Sequence, residues 1–193
     1  MRRLFAVALA AVLLLAACGR EQSKSFQLTD VTGAPFGKSL ELTDHNGQRR
    51  TLADFKGKVV VLFFGFTHCP DACPTTMAEL AAVARELGSD ADKFQVLFVT
   101  VDPERDTPDV LKQYVPAFYP TFLGMSGTPE DLSRTAKEFK VYYARQQQPG
   151  GSYTMDHSAG TFVFDKQGRL RLFGQYGAGA KAILNDVKVL LKE

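Results

Sequence analysis

Hydrophobic positions along the chain follow two rhythms, and their alternation lays out a domain. Val59 to Phe64 is an unbroken apolar run, as expected of a strand buried on both faces, and Phe94 to Val101 reads as a second buried strand. Between them Met77, Leu80, Ala81, Ala84 and Leu87 recur at helical spacing over Thr75 to Leu87. Glu79 and Glu86 lie off that face, and Gly88 is the stop. Thr107-Pro108 opens a second helix, to Phe118. Thr128-Pro129-Glu130-Asp131 opens a third, to about Phe139, and Ala180 to Leu191 closes the chain as a fourth. Phe122 to Gly124, Thr161 to Asp165 and Arg169 to Phe173 read as short strands. Leu40 to Asp44 and Gln48 to Leu52 flank His45-Asn46-Gly47, a hairpin signal. Strands alternating with helices of this length predict an α/β sandwich around a central sheet, with an N-terminal β-hairpin.

The first residues break the pattern. Met1-Arg2-Arg3 is basic, and Leu4 to Ala17 is fourteen apolar residues without a charge, too short to span a bilayer comfortably. The segment ends Leu15-Ala16-Ala17-Cys18-Gly19, which looks like a bacterial lipobox. Three segments are expected: a lipoprotein signal peptide at 1–17, a tether at 18–38 lipidated on Cys18, and a domain at 39–193. A plain signal peptide cleaved near Ala17 is the simpler reading. Either way the domain is expected outside the cytoplasm, in the cell envelope, held there by lipid if Cys18 is modified.

The 193 residues carry 45% apolar side chains and a net charge of +2, a globular composition. Loss of residues 1–17 removes Arg2 and Arg3, leaving 21 basic against 21 acidic side chains. No basic block is present, so no nucleic-acid partner is expected, and the domain is expected to be a monomer.

If Cys18 carries lipid, Cys69 and Cys73 are the two remaining cysteines. They sit in Gly65-Phe-Thr-His-Cys-Pro-Asp-Ala-Cys-Pro74, between a buried strand and a helix, where sites gather in open α/β sheets. Helical spacing of four puts both sulfurs on one face. Unpaired N–H groups at the helix start are expected to favour thiolate. Two such sulfurs can form a structural disulfide, exchange disulfides, or bind Cu(I) or Zn, and the spacing alone does not decide. Among the histidines, His45 reads as a solvated turn residue, and His68 adjoins Cys69 but points away from it in an extended segment. His157, in Tyr153-Thr-Met-Asp-His-Ser158, precedes a predicted strand and faces the cysteine-bearing helix start if the sheet is thioredoxin-like. A lone histidine is more often structural, but Cys69, Cys73 and His157 together suit three-coordinate Cu(I).

Three separated segments, Phe64 to Pro74, Val101-Asp-Pro-Glu-Arg-Asp-Thr-Pro108 and Tyr153 to Ser158, together resemble the Sco/SenC family over about residues 36–191. The resemblance implies a thioredoxin-like fold with a mixed sheet and an added N-terminal hairpin. It implies that Cys69, Cys73 and His157 hold one copper ion, as Cu(I) or Cu(II). It also implies a role in maturing the binuclear copper site of cytochrome c oxidase subunit II, or of another copper-receiving protein, with a periplasmic copper donor or thiol reductant upstream. Such a protein is a metallochaperone rather than a turnover enzyme. A thiol–disulfide oxidoreductase working through Cys69 and Cys73, and a copper or redox sensor, are the competing functions. Asp71, Asp156 and Asp102 are candidates for outer hydrogen bonds to the ligands, with helix capping the plainer role for Asp71. Arg105 and Asp106 are expected to pair with each other, and Met155 to pack. Lipid in place of the membrane helix common in the family leaves the target membrane open.

Overall fold

The structure, a computed structural model, describes residues 26–193. The signal segment and Cys18 lie outside the described residues. Among the described residues two sheets are present. The main sheet has eight strands in the order β1 (Thr29–Asp30), β10 (Leu170–Gln175), β9 (Gly160–Phe164), β4 (Val59–Gly65), β5 (Phe94–Thr100), β6 (Leu123–Ser126), β2 (Glu41–Asp44), β3 (Arg49–Thr51). β4, β5 and β6 run parallel and the other neighbours antiparallel, so the sheet is mixed as expected. Every residue of β4 and β5 is buried, which is why β4 reads as a continuous apolar run and β5 as a largely apolar one, its Gln95 and Thr100 side chains being hydrogen-bonded.

Among the described residues four α-helices accompany the sheet: α1 (Ala72–Leu87), α2 (Pro108–Phe118), α3 (Pro129–Glu138) and α4 (Ala180–Leu191). α1 packs against α4, α2 against β6, and α3 against β2. The Thr107 and Thr128 hydroxyls accept from the backbone N–H three residues on, and a proline follows each cap. α1 begins three residues earlier than the apolar stripe suggests. Pro74 sits in its first turn, where no N–H is needed. Cys73 therefore belongs to the helix proper, and Cys69 to the turn before it.

The predicted hairpin is present as β2 and β3, and it extends the main sheet through β2 and β6. Two other readings change. Residues 26–38 are not a tether. Leu28 is buried, β1 pairs with β10, and the buried Asp186 of α4 accepts from the Gln27 and Leu28 N–H groups, at 2.7 Å for Leu28. Gly33 and Gly37 take positive φ, so the glycines that read as irregular tether are bends of a segment wrapped on the sheet edge. His45 is buried rather than solvated, and its Nδ1 accepts the Gly124 N–H at 3.0 Å.

Outside the main sheet, β7 (Tyr143–Gln147) and β8 (Tyr153–His157) form a separate hairpin. Its strands carry Arg145-Gln-Gln and Thr154-Met-Asp and show no clean apolar alternation, so periodicity passes over them. The Pro149-Gly150-Gly151 turn was the available signal, with both glycines at positive φ. His157 is thus the last residue of a strand, not part of a loop.

Candidate metal centre

β4 delivers the chain to the site at its C-terminal end. The turn Phe66–Pro70 follows, then α1. Cys73 is fully buried on the first turn of α1, and Cys69 is partly exposed above it. Both are free thiols. The Cys73 N–H donates to the Cys69 sulfur at 3.4 Å, so the helix start does supply an N–H to one sulfur, as the spacing suggests. Cys73 goes the other way. Burial pushes its thiol far above the ordinary range, which corrects the expectation of a ready thiolate there. Gly65 makes room for it: a methyl group at that position would stand 3.0 Å from the Cys73 sulfur.

The hairpin brings His157 to the cysteines. Its Nε2 lies 3.7 Å from the Cys73 sulfur. Its Nδ1 lies 3.0 Å from the Ser158 carbonyl, which can only accept, so Nδ1 carries the proton and Nε2 presents its lone pair to the sulfur. Phe63 and Phe66 stand edge-on to the ring, and burial holds the imidazole below its ordinary pKa, in the neutral form a metal requires. Among the described residues no three His, Cys, Asp or Glu side chains are already gathered around a common point. The donors nonetheless fit a soft ion. Cys73 and His157 would hold such an ion between them, with Cys69 the nearby third donor, supplying soft sulfur and imidazole ligands.

The predicted helpers divide. Asp71 occupies the N-cap position of α1 but makes no side-chain cap bond; its carboxylate accepts from the Thr75 hydroxyl, at 3.4 Å. Asp156 is exposed, on the face of β8 opposite His157, because side chains alternate along a strand. The hydrogen bond expected from it comes from the Ser158 carbonyl instead. His68 is exposed and turned to Thr67 and Asp106. Met155 packs against the core, as expected.

Asp102 is buried, and it has partners the sequence did not reveal. It pairs with Arg105 and accepts from the Tyr153 hydroxyl at 3.0 Å. Arg105 and Asp106 do not pair with each other. Asp106 is fully buried and accepts from the Thr67 N–H at 3.0 Å, from the Thr67 hydroxyl, and from the Thr100 hydroxyl at 2.7 Å. It ties the cysteine turn to the end of β5. Tyr114 of α2 was also missed. Its hydroxyl is buried with no hydrogen-bond partner among the described residues, and burial beside Cys73 and Cys69 pushes its pKa up.

Residues 23–192 match the family model described as SCO1/SenC. The chain is 34% identical over 190 residues to the mouse mitochondrial SCO2 homolog, covering 96% of this chain and 74% of that protein. Yeast mitochondrial SCO2 is 41% identical over 140 residues, covering 71% of this chain and 45% of that one. The structure of Bradyrhizobium japonicum ScoI with copper bound is similar at 39% identity and a TM-score of 0.74, covering 80% of this chain and 99% of that chain. Apo Sco1 from Thermus thermophilus is similar at 41% identity and a TM-score of 0.75, covering 86% and 97%. By the match of the family model over most of its length and by these relatives, the chain belongs to the SCO1/SenC family.

Proposed function

We propose that this chain is a copper-binding assembly factor for cytochrome c oxidase. It holds one copper ion on Cys69, Cys73 and His157 and passes it to the binuclear copper site of subunit II. The observation that carries the reading is the neutral imidazole nitrogen 3.7 Å from a buried thiol, with a second thiol in the preceding turn. Two sulfurs and one nitrogen suit Cu(I), and the same set accepts Cu(II) with a further ligand. Relatives with copper bound, from Bradyrhizobium japonicum and yeast, support the choice of metal. Metal binding displaces the thiol protons, so affinity rises with pH until the thiols are spent.

Among the described residues no helix is long and apolar enough to cross a membrane. The reading places lipid on Cys18 and the domain on the outer side of the membrane, as a monomer.

An anaerobic Cu(I) competition titration of the reduced chain beside His157→Ala tests the site. One tight equivalent, much weakened in the variant, is the expected result. Equal binding in both proteins defeats it. One observation favours a second activity on the same sulfurs: Cys69 is reachable and Cys73 is buried behind it. That is the arrangement of an attacking thiol and a resolving one. Oxidation of the pair to a disulfide would hand two electrons and two protons to a disulfide in the recipient. The reduction potential of the pair, measured against glutathione, checks this.

A further inference from the structure

The loop after β5 carries Asp102-Pro-Glu-Arg105-Asp106, a segment to which the copper reading gives no ligand. Its side chains reach both halves of the site. Asp106 holds the cysteine turn through Thr67. Arg105 reaches the hairpin. Its Nε pairs with Asp102, and its Nη1 donates to the Tyr153 carbonyl at 2.9 Å. The guanidinium carbon lies 3.8 Å from the Tyr153 ring centroid and 5.9 Å from that of Phe66. Tyr153 returns a hydrogen bond from its hydroxyl to Asp102 at 3.0 Å. Arg145 covers the same ring at 4.1 Å and pairs with Glu104 of the loop. Phe66 in turn stands edge-on to His157.

These ties matter because the hairpin has no ladder to the main sheet. A two-stranded hairpin alone is marginally stable in water. Something must hold β8 down if its last residue is to stay beside Cys73. Another sign of constraint is the second guanidinium nitrogen, Nη2, which is buried without a hydrogen-bond partner among the described residues. The Arg105 head is set where it serves Asp102 and Tyr153, at the cost of one unpaired donor.

We propose that Asp102, Arg105 and Tyr153 form a latch that fixes the β7–β8 hairpin, and through it positions His157 over the two cysteines. The latch residues touch neither sulfur nor imidazole; they are positioning residues, and the inference rests on the copper reading above for its consequence. With the latch closed, the imidazole is held ready for the ion. With it open, the ion keeps two sulfurs and loses the nitrogen, which weakens Cu(II) more than Cu(I).

The test uses the full chain with Arg105→Lys, Tyr153→Phe and His157→Ala. Lysine keeps a cation beside the buried Asp102, so the carboxylate is not orphaned, but it lacks the planar fork that spans Asp102 and the Tyr153 carbonyl. Amide hydrogen exchange of the metal-free protein reads the latch directly. In Arg105→Lys, exchange over 143–157 is expected to rise at least about tenfold while 59–65 and 94–100 stay protected. Tyr153→Phe is expected to show the same change, smaller. In the copper-loaded protein, Cu(II) affinity is expected to fall about 10–100-fold in Arg105→Lys, the range for outer partners of a metal ligand. Nitrogen coupling in the electron paramagnetic resonance spectrum should fade toward that of His157→Ala.

Unchanged hairpin exchange in both latch variants overturns the proposal. So does a rise spread over the whole sheet, which marks a general loss of stability. A freed hairpin with full Cu(II) affinity and nitrogen coupling overturns the link to His157. If the unsubstituted protein shows no nitrogen coupling, the copper reading fails instead, and the exchange measurement still decides whether the latch exists.

Discussion

The two halves of the site are built differently. The cysteine half is part of the main sheet: β4 pairs on both sides, α1 starts within a few residues, and a buried carboxylate is bonded to the turn between them. The histidine half is a hairpin in a sheet of its own, seated on side chains. The difference suggests a division of labour. On the proposed copper reading, a rigid dithiol arm would set where the ion sits, and an imidazole arm that can be loosened separately would set how tightly it is kept. A protein that must both take and release a metal gains from having one ligand on a weaker mount.

The sharpest way to break this comparison is to remove one donor from each arm. Cys73→Ala is expected to lower Cu(I) affinity by more than the roughly 100-fold associated with outer partners, because it removes a soft ligand itself. His157→Ala is expected to cost Cu(I) binding less than Cys73→Ala does, and to cost Cu(II) binding more than Cu(I) binding. Competition titrations in both oxidation states check this. Equal losses on both arms for both ions would erase the distinction.

Next comes the carboxylate beneath the rigid arm. Asp106→Asn presents an amide nitrogen to a cluster of donors, the Thr67 N–H and hydroxyl and the Thr100 hydroxyl. One buried donor is then left without an acceptor, at a cost of about 1–3 kcal/mol in urea unfolding. Copper affinity is expected to drop as well, with nitrogen coupling from His157 retained, which separates this variant from those of the latch. Gly65→Ala is smaller and more local. The added methyl meets the Cys73 sulfur at 3.0 Å and the Phe98 ring at 2.8 Å. Over-packing of this kind costs about 1–3 kcal/mol where the neighbours cannot move, and less where they yield. Thermal unfolding measures it, and no loss at all would show that the dithiol arm is softer than its burial implies.

The same division governs what could be read from the sequence. Elements of the main sheet announce themselves, because strands buried on both faces are mostly apolar and helices against a sheet show an apolar stripe; β4, β5 and the helices α1 to α4 are all found from the pattern, with α1 starting three residues before its stripe. The cysteines follow, since a strand-to-helix turn is a recognisable place. The β7–β8 hairpin does not announce itself. Its polar strands gain stability from Arg105 and Tyr153, residues 48 apart in the chain, and no local period encodes a contact at that distance. Asp156 looked like a partner of His157 because it is adjacent in sequence, yet alternation along a strand makes adjacency the wrong criterion. Asp106 and Arg105 looked like each other's partners for the same reason, and each binds a different half of the site.

Two histidines, the buried His45 and the half-buried His157, give the last and smallest test. In His157 the nitrogen that can accept faces Cys73, while in His45 the nitrogen that accepts is taken by the Gly124 N–H. One imidazole is available for chemistry and the other is consumed by the fold. Burial holds the His45 pKa below its ordinary 6.5. Above 6.5 the group is neutral in folded and unfolded chains alike, and its contribution to stability is fully present. As pH falls below that value the unfolded chain takes up the proton first, so stability is lost until the lower, folded pKa is passed. The depressed carboxylates Asp44 and Asp165 act in a separate window, below 3.8. His45→Asn offers Gly124 a carbonyl oxygen in place of Nδ1 and cannot titrate. Urea midpoints taken from pH 7.5 down to 5 should therefore fall less steeply in the variant than in the parent, with copper binding untouched. A parallel decline in both would mean that His45 does not carry this part of the acid sensitivity. Any loss of copper would mean that its imidazole is not confined to the fold.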